Sequence, residues 1–133
     1  MILLPDTNAW IKLLNPGATP VKDRFRKADS DKIRLCSVVK AELYFGAYNS
    51  SRKKENLNLL KRLFANYESL PFDDDAAEIY GKIRAELKAI GTPIGPNDLL
   101  IAAIALSHKA ILITHNTREF EKVGGLKLED WEV

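Results

Sequence analysis

The chain has 133 residues, 46% hydrophobic and 29% charged, with 20 Lys and Arg against 18 Asp and Glu for a formal net charge of +2 at pH 7. This predicts a single domain spanning residues 1–133 with its own core, and it is no strong nucleic-acid signature. One cysteine and two histidines exclude an intramolecular disulfide and a Cys/His zinc site, while the opening MILLPDTN lacks a signal peptide's basic segment and the longest apolar run, Leu99–Leu106, falls far short of a membrane span, so a cytoplasmic protein with no membrane association is expected.

In chain order, Ile2–Leu4 reads as a short buried strand and Thr7–Leu14 as a helix entered just after Asp6. Pro and Gly make Asn15–Pro20 a loop. Val21, Phe25 and Ala28 share helical spacing, so Val21–Ala28 is a second helix. Ile33–Cys36 is a second strand, which makes Cys36 a small core residue. Ser37 is the expected N-cap of a helix over Val38–Tyr48, closing near Gly46. Arg52–Asn66 is amphipathic, with Leu57, Leu60 and Phe64 in its apolar stripe, and Tyr67–Leu70 is a short strand. Ala76–Ile90 is the clearest helix: Asp75 and Glu78 resemble a capping box, Ile79, Ile83, Leu87 and Ile90 form a stripe, and Gly91 stops it. Asn97 is the expected cap of a nearly all-apolar helix, Asp98–Lys109. Ala110–Thr114 reads as a central strand, Thr117–Lys122 as a short helix and Leu126–Leu128 as an edge strand. Strands alternating with helices predict an α/β fold with a mostly parallel sheet covered on both faces.

Ligand sites in such folds lie beyond the carboxyl ends of the strands. Asp6, Glu42, Asp98 and the Asn116–Glu119 pair all fall where a strand ends or a helix begins, or close by. A buried, unpaired carboxylate is costly. A cluster of them is tolerable beside Mg²⁺ or Mn²⁺, which take oxygen ligands. Asp6 also reads as a helix N-cap and Glu42 as a solvent-facing helix residue. Asp98 opens so apolar a helix that function is the better reading. At the fourth position Asn116 offers a neutral carbonyl oxygen, and Glu119, one turn later, offers charge. Thr114 and Ser37 are candidates to hydrogen-bond the carboxylates or a phosphate, or are simple turn and cap residues. His115 is a weaker candidate for phosphate contact, and His108 is expected on the surface. Lys and Arg residues at positions 24, 26, 27, 52, 53, 54, 61 and 62 are candidates for a basic surface around an acidic pocket, or a scattered solvated face.

The blocks PDTNAWI (5–11), SVVKAEL (37–43), GTPIGPNDLLIAAIAL (91–106) and THNTREF (114–120), with the ending GGLKLEDWEV, resemble the PIN-domain ribonucleases and, within them, the VapC-type toxins. The resemblance runs through essentially the whole chain and implies a three-layer α/β/α fold with a mostly parallel central sheet. It maps Asp6, Glu42 and Asp98 onto the family's acidic triad and puts Asn116 where the family often has Asp, a departure that Glu119 is placed to compensate. It implies Mg²⁺-dependent (or Mn²⁺-dependent) RNA hydrolysis, with Asp6, Asp98, Glu42 and Glu119 as metal ligands. A homodimer and a cognate antitoxin protein are implied as well. Tyr44, Phe45, Tyr48, Leu57 and Leu60 are candidates for docking, or for the protein's own core. Two other readings compete. A phosphotransferase with Asp6 as nucleophile usually has a second Asp two residues on, where this chain has Asn8. A non-catalytic RNA- or protein-binding module of the same fold would not require the acids.

Overall fold

The computed structural model describes residues 1–133. Strand β1 (Leu3–Pro5) leads into helices α1 (Thr7–Leu14) and α2 (Pro20–Lys27). After a 3-10 turn at Ser30–Lys32, β2 (Leu35–Cys36) passes directly into α3 (Ser37–Tyr48), and α4 (Lys53–Phe64) returns to β3 (Ser69–Leu70). Helices α5 (Asp74–Ala89) and α6 (Pro96–Ser107) precede β4 (Ile111–Ile113), and α7 (Thr117–Phe120) precedes β5 (Lys127–Glu129). No helix is long and apolar enough to cross a membrane.

All strand pairs are parallel. Leu3 pairs with Ile111, Ile111 with Lys127, and Leu35 with Ser69. A single parallel bridge, Leu3 to Ile33, joins the two parts of the sheet, giving the order β3-β2-β1-β4-β5. The chain therefore works outward from β1 to β3, then crosses back to β4 on the other side of β1. Order reverses between β1 and β4, and a crevice opens beyond their carboxyl ends. The Asp6 N–H donates to the Ile113 carbonyl at 2.9 Å, tying the two strand ends together.

Successive strand residues point to opposite faces. Leu112 and Ile113 are both buried, as are Leu35 and Cys36, so helices cover the sheet on both sides in the expected three-layer α/β/α arrangement. Helix α6 has no polar face because it is a core element: Leu99 and the run Ile101–Ala105 are buried. Truncating a fully buried residue such as Ile104 to Ala would cost roughly 2–5 kcal/mol. Trp10 anchors α1, with its ring centroid 5.0 Å from those of both Phe25 and Tyr67. Its indole N–H donates to the Pro5 carbonyl at 3.0 Å. Pro5 has no N–H of its own and sits at the last residue of β1, where the missing ladder bond does least harm.

Several expected boundaries shift, each for a local reason. Asp73, not Asp75, caps α5: its Oδ1 accepts from the Ala76 N–H at 3.0 Å, which leaves Asp74 and Asp75 in a first turn that favours negative charge. Gly95, not Asn97, is the cap of α6, because Pro96 is preorganised for the first helical position. Cys36, not Ser37, precedes α3, which runs through Gly46 to Tyr48. Gly91 does end α5. At φ +72° it donates to Lys88 O, and Thr92 donates to Leu87 O, the paired bonds of a Schellman turn.

Candidate active site

Asp6 leaves the tip of β1 and caps α1, as its N-cap reading expected, and the same side chain lies on the wall of the cleft described below. Its Oδ1 accepts from the Ala9 N–H at 2.9 Å, and the residue is 7% exposed. Burial raises its pKa. The Ala9 N–H and Thr114 work against that rise, and the charges of Glu132 and Glu42 add to it.

Val39, Leu43 and Ala47 bury the inner stripe of α3. Glu42 lies off that stripe and faces the crevice. It is not a free solvent-facing residue, because its Oε1 accepts from the Thr7 hydroxyl at 2.6 Å. Asp98 stands in the first turn of α6, the one turn of that helix that reaches the crevice. Its pKa is pushed up to about 6, first by burial and then by the charges of Glu119, Asp6 and Glu42. These distant positions therefore act on one another electrostatically.

Asp6, Thr7, Asn8, Glu42, Asn97 and Asp98 line a cleft of about 520 Å³, with Ile11, Ala41 and Phe45 as its apolar part. Asn116 and Glu119 do not line it. They form a pair beside it: the Asn116 side-chain amide donates to Glu119 Oε2 at 2.7 Å, and the Gly95 N–H donates to Oε1 at 3.1 Å. Glu119 thus holds the cap of α6 while its charge acts on Asp98. Of the two fourth-position candidates, it is the one that contributes charge.

No three Asp, Glu, His or Cys side chains meet as a ready-made metal cage. The donor set still fits a hard divalent ion. Every candidate ligand is an oxygen, and Mg²⁺ keeps several of its waters while using one or two carboxylates. Burial first, and neighbouring carboxylates second, disfavour the Asp98 charge, and a cation in the cleft would offset both.

Three participants give no signal in sequence spacing: Thr7, the Gly95 N–H, and Glu132. Glu132 forms an ion pair with Lys12 and reaches the site only because the C-terminal segment folds back, with Trp131 buried against Phe25 at 4.9 Å. His115 is engaged by Asp130 at 3.0 Å. His108 is half-buried at the end of α6, with its ring Nδ1 3.0 Å from the Ser107 hydroxyl, and so is not the surface residue expected. Among the docking candidates, Leu60 belongs to the core and Leu57 is half-buried, whereas Tyr44, Phe45 and Tyr48 are exposed. Several of the basic residues have acidic neighbours: Arg24 pairs with Glu129, Arg26 with Asp23 and Arg52 with Glu55.

The PIN domain family model matches residues 3–126. The chain belongs to the PIN-domain family. It is 40% identical over 126 residues to the tRNA(fMet)-specific endonuclease VapC of Shigella flexneri, covering 95% of each chain. Among solved structures, it is similar to DNA-bound VapBC from Salmonella typhimurium, with a TM-score of 0.92, 34% identity and 98% of each chain covered. It is also similar to VapBC2 from Rickettsia felis bound to a promoter DNA fragment, with a TM-score of 0.90, 32% identity, and 98% of this chain and 99% of that one covered. This PIN domain is thus a ribonuclease of the VapC toxin type.

Proposed function

We propose that this PIN domain hydrolyses internal phosphodiester bonds of RNA in a reaction that depends on Mg²⁺ or Mn²⁺. The observation that carries this reading is that Asp6, Glu42 and Asp98 line the wall of one cleft at the switch point of the sheet. Asp6 and Asp98 would be the principal ligands and Glu42 would complete the acidic shell, with Glu119 adding its charge from beside the cleft. When bound, the ion supplies charge neutralisation at the phosphate and lowers the pKa of a water molecule.

The chain's own residues do the positioning. Thr7 fixes one oxygen of Glu42 and leaves the other to accept a hydrogen bond from the attacking water. The Ala9 N–H fixes Asp6 Oδ1. Glu119 fixes the start of α6, and with it Asp98, through the Gly95 N–H. Carboxylates held this way need little reorganisation as charge develops.

The similarity to the Shigella endonuclease makes tRNA(fMet) the first substrate to test. The similarity to VapBC assemblies supports a cognate antitoxin as partner, and a homodimer is the proposed active form. The deciding experiment incubates the purified protein with tRNA(fMet) and with total RNA, with Mg²⁺, with Mn²⁺ and with excess EDTA, and maps the cut ends. Cleavage with metal that stops with chelator is expected. Unchanged cleavage in EDTA would overturn the metal-dependent mechanism.

A further inference from the structure

Helix α3 carries three exposed aromatic residues, and they are not equivalent. Tyr44, 41% exposed, packs edge-on against Phe64 with ring centroids 5.3 Å apart, so the protein's own packing accounts for it. Tyr48 lies one turn beyond the cleft lining and does not contribute to it. Phe45 is 71% exposed, forms no pair with any other aromatic ring, and lines the acidic cleft three residues along the helix from Glu42. Folding gives no reason for a phenylalanine there: the inner stripe of α3 is supplied by Val39, Leu43 and Ala47. A large apolar ring left in water at the rim of a polar, carboxylate-lined cleft is unfavourable for the free protein.

We propose that Phe45 is a stacking platform for one nucleobase of the RNA, next to the bond that is cut. This inference rests on the ribonuclease reading above and deepens it. Residues i and i+3 share a helix face, so the ring and the Glu42 carboxylate look into the same space. A strand whose phosphate lies among Asp6, Glu42 and Asp98 has its flanking base within reach of the α3 wall. Every base has a π face, so an exposed aromatic ring can hold an unpaired nucleotide whatever its identity, and single-stranded or looped RNA presents such bases. The remaining cleft residues suit the same occupant. Asn8 and Asn97 are exposed amides able to hydrogen-bond ribose or base edges. The ring faces the wall on which the scissile phosphate would lie, so a nucleotide is the occupant this position fits, and a protein partner over the same cleft is an outcome of the test.

The test uses Phe45→Ala, Phe45→Tyr and Phe45→Trp in the full-length protein. The probe is a short RNA spanning the mapped cut site, made intact and with each flanking nucleotide in turn replaced by an abasic ribose. Cleavage gives kcat and KM, and anisotropy with the non-cleaving Asp98→Asn background gives binding. Phe45→Ala should weaken binding and kcat/KM by roughly 5- to 150-fold, the span of base–aromatic stacking, while Phe45→Tyr and Phe45→Trp stay near wild type. At one abasic position the Phe45→Ala loss should vanish, since the base and the ring are then two halves of one interaction. A loss that stays the same across all abasic probes overturns the proposal. So does wild-type binding in a folded Phe45→Ala protein. A changed mass by light scattering with unaltered cleavage would assign Phe45 to a protein interface instead. If the wild type cuts no RNA, the ribonuclease reading fails, and the anisotropy arm, with a single-stranded RNA of mixed sequence as probe, still decides whether Phe45 stacks.

Discussion

The Thr7 hydroxyl donates to Glu42 Oε1 at 2.6 Å, joining the first turn of α1 to the middle of α3. A hydroxyl bonded to a carboxylate is worth about 1.5–3 kcal/mol, toward the lower end here because the pair is only part-buried. Thr7→Val should therefore destabilise the protein by about 1–2 kcal/mol and lower RNA cleavage about ten-fold by freeing Glu42. Thr7→Ser should restore both. Urea melts read the first effect and single-turnover cleavage the second. Wild-type values for Thr7→Val in both assays would show that the bond orients nothing.

The Asp98 carboxyl, raised from 3.8 to about 6, gives a pH dependence of definite sign in metal-free protein. Between those two values the folded state holds a proton that the unfolded state has lost. This group's contribution to stability is therefore full below pH 3.8 and is lost as pH rises through about 6. Asp98→Asn should remove that slope and stabilise the metal-free protein at pH 7 by about 1 kcal/mol, after discounting for solvent screening of a half-exposed group. Chemical melts from pH 4 to 8 on both proteins check this. A parallel pair of stability curves would place the strain elsewhere.

Much of this was legible in the sequence, and the parts that were not share a cause. Alternating strands and helices announced the parallel sheet, and α6 betrayed itself as a core helix because Leu99–Leu106 has no polar face. Asp6 and Asp98 were visible as charges at the edges of apolar segments. The helix caps were harder. Asp73 and Asp75 are equally good caps by residue type, and only the bond to Ala76 chooses between them. The sequence also could not show that Thr7 holds Glu42 or that Glu119 holds Gly95. Both bonds depend on how helices from separate crossovers are set over the sheet. Glu132 joins the site through tertiary folding of the last residues, which no local pattern encodes.

Asp6 combines a structural and a chemical role, and two substitutions separate them. Asp6→Asn keeps an oxygen for the Ala9 N–H, so the α1 cap survives while the charge is lost. Asp6→Ala loses the cap as well and should cost about 1 kcal/mol more. Both should lack RNA cleavage, and Mg²⁺, expected to raise the melting temperature of the wild type, should raise it in neither variant. Thermal melts with and without Mg²⁺ make the comparison. If Asp6→Asn still gains the full wild-type rise, the ion does not sit on Asp6.

Glu119 and Asn116 hold each other, so their substitutions should not be equivalent. The Asn116 amide occupies Glu119 Oε2 at 2.7 Å, and the Gly95 N–H occupies Oε1. Asn116→Ala removes a donor that competes with a cation for the carboxylate. Mg²⁺ affinity in that variant should stay within about two-fold of wild type, since no charge is lost. Glu119→Gln removes the largest neighbouring charge acting on Asp98. It should weaken Mg²⁺ binding about five-fold or more, and it should lower the Asp98 pKa toward the ordinary carboxylate range because a repulsive neighbour is gone. Calorimetric titration with Mg²⁺ measures the first effect, and carboxyl-carbon NMR of Asp98 across pH measures the second. Wild-type affinity in Glu119→Gln with a clear loss in Asn116→Ala would transfer the fourth position to the asparagine. An unmoved Asp98 pKa in Glu119→Gln would separate the two residues altogether and leave Glu119 as the brace that holds Gly95.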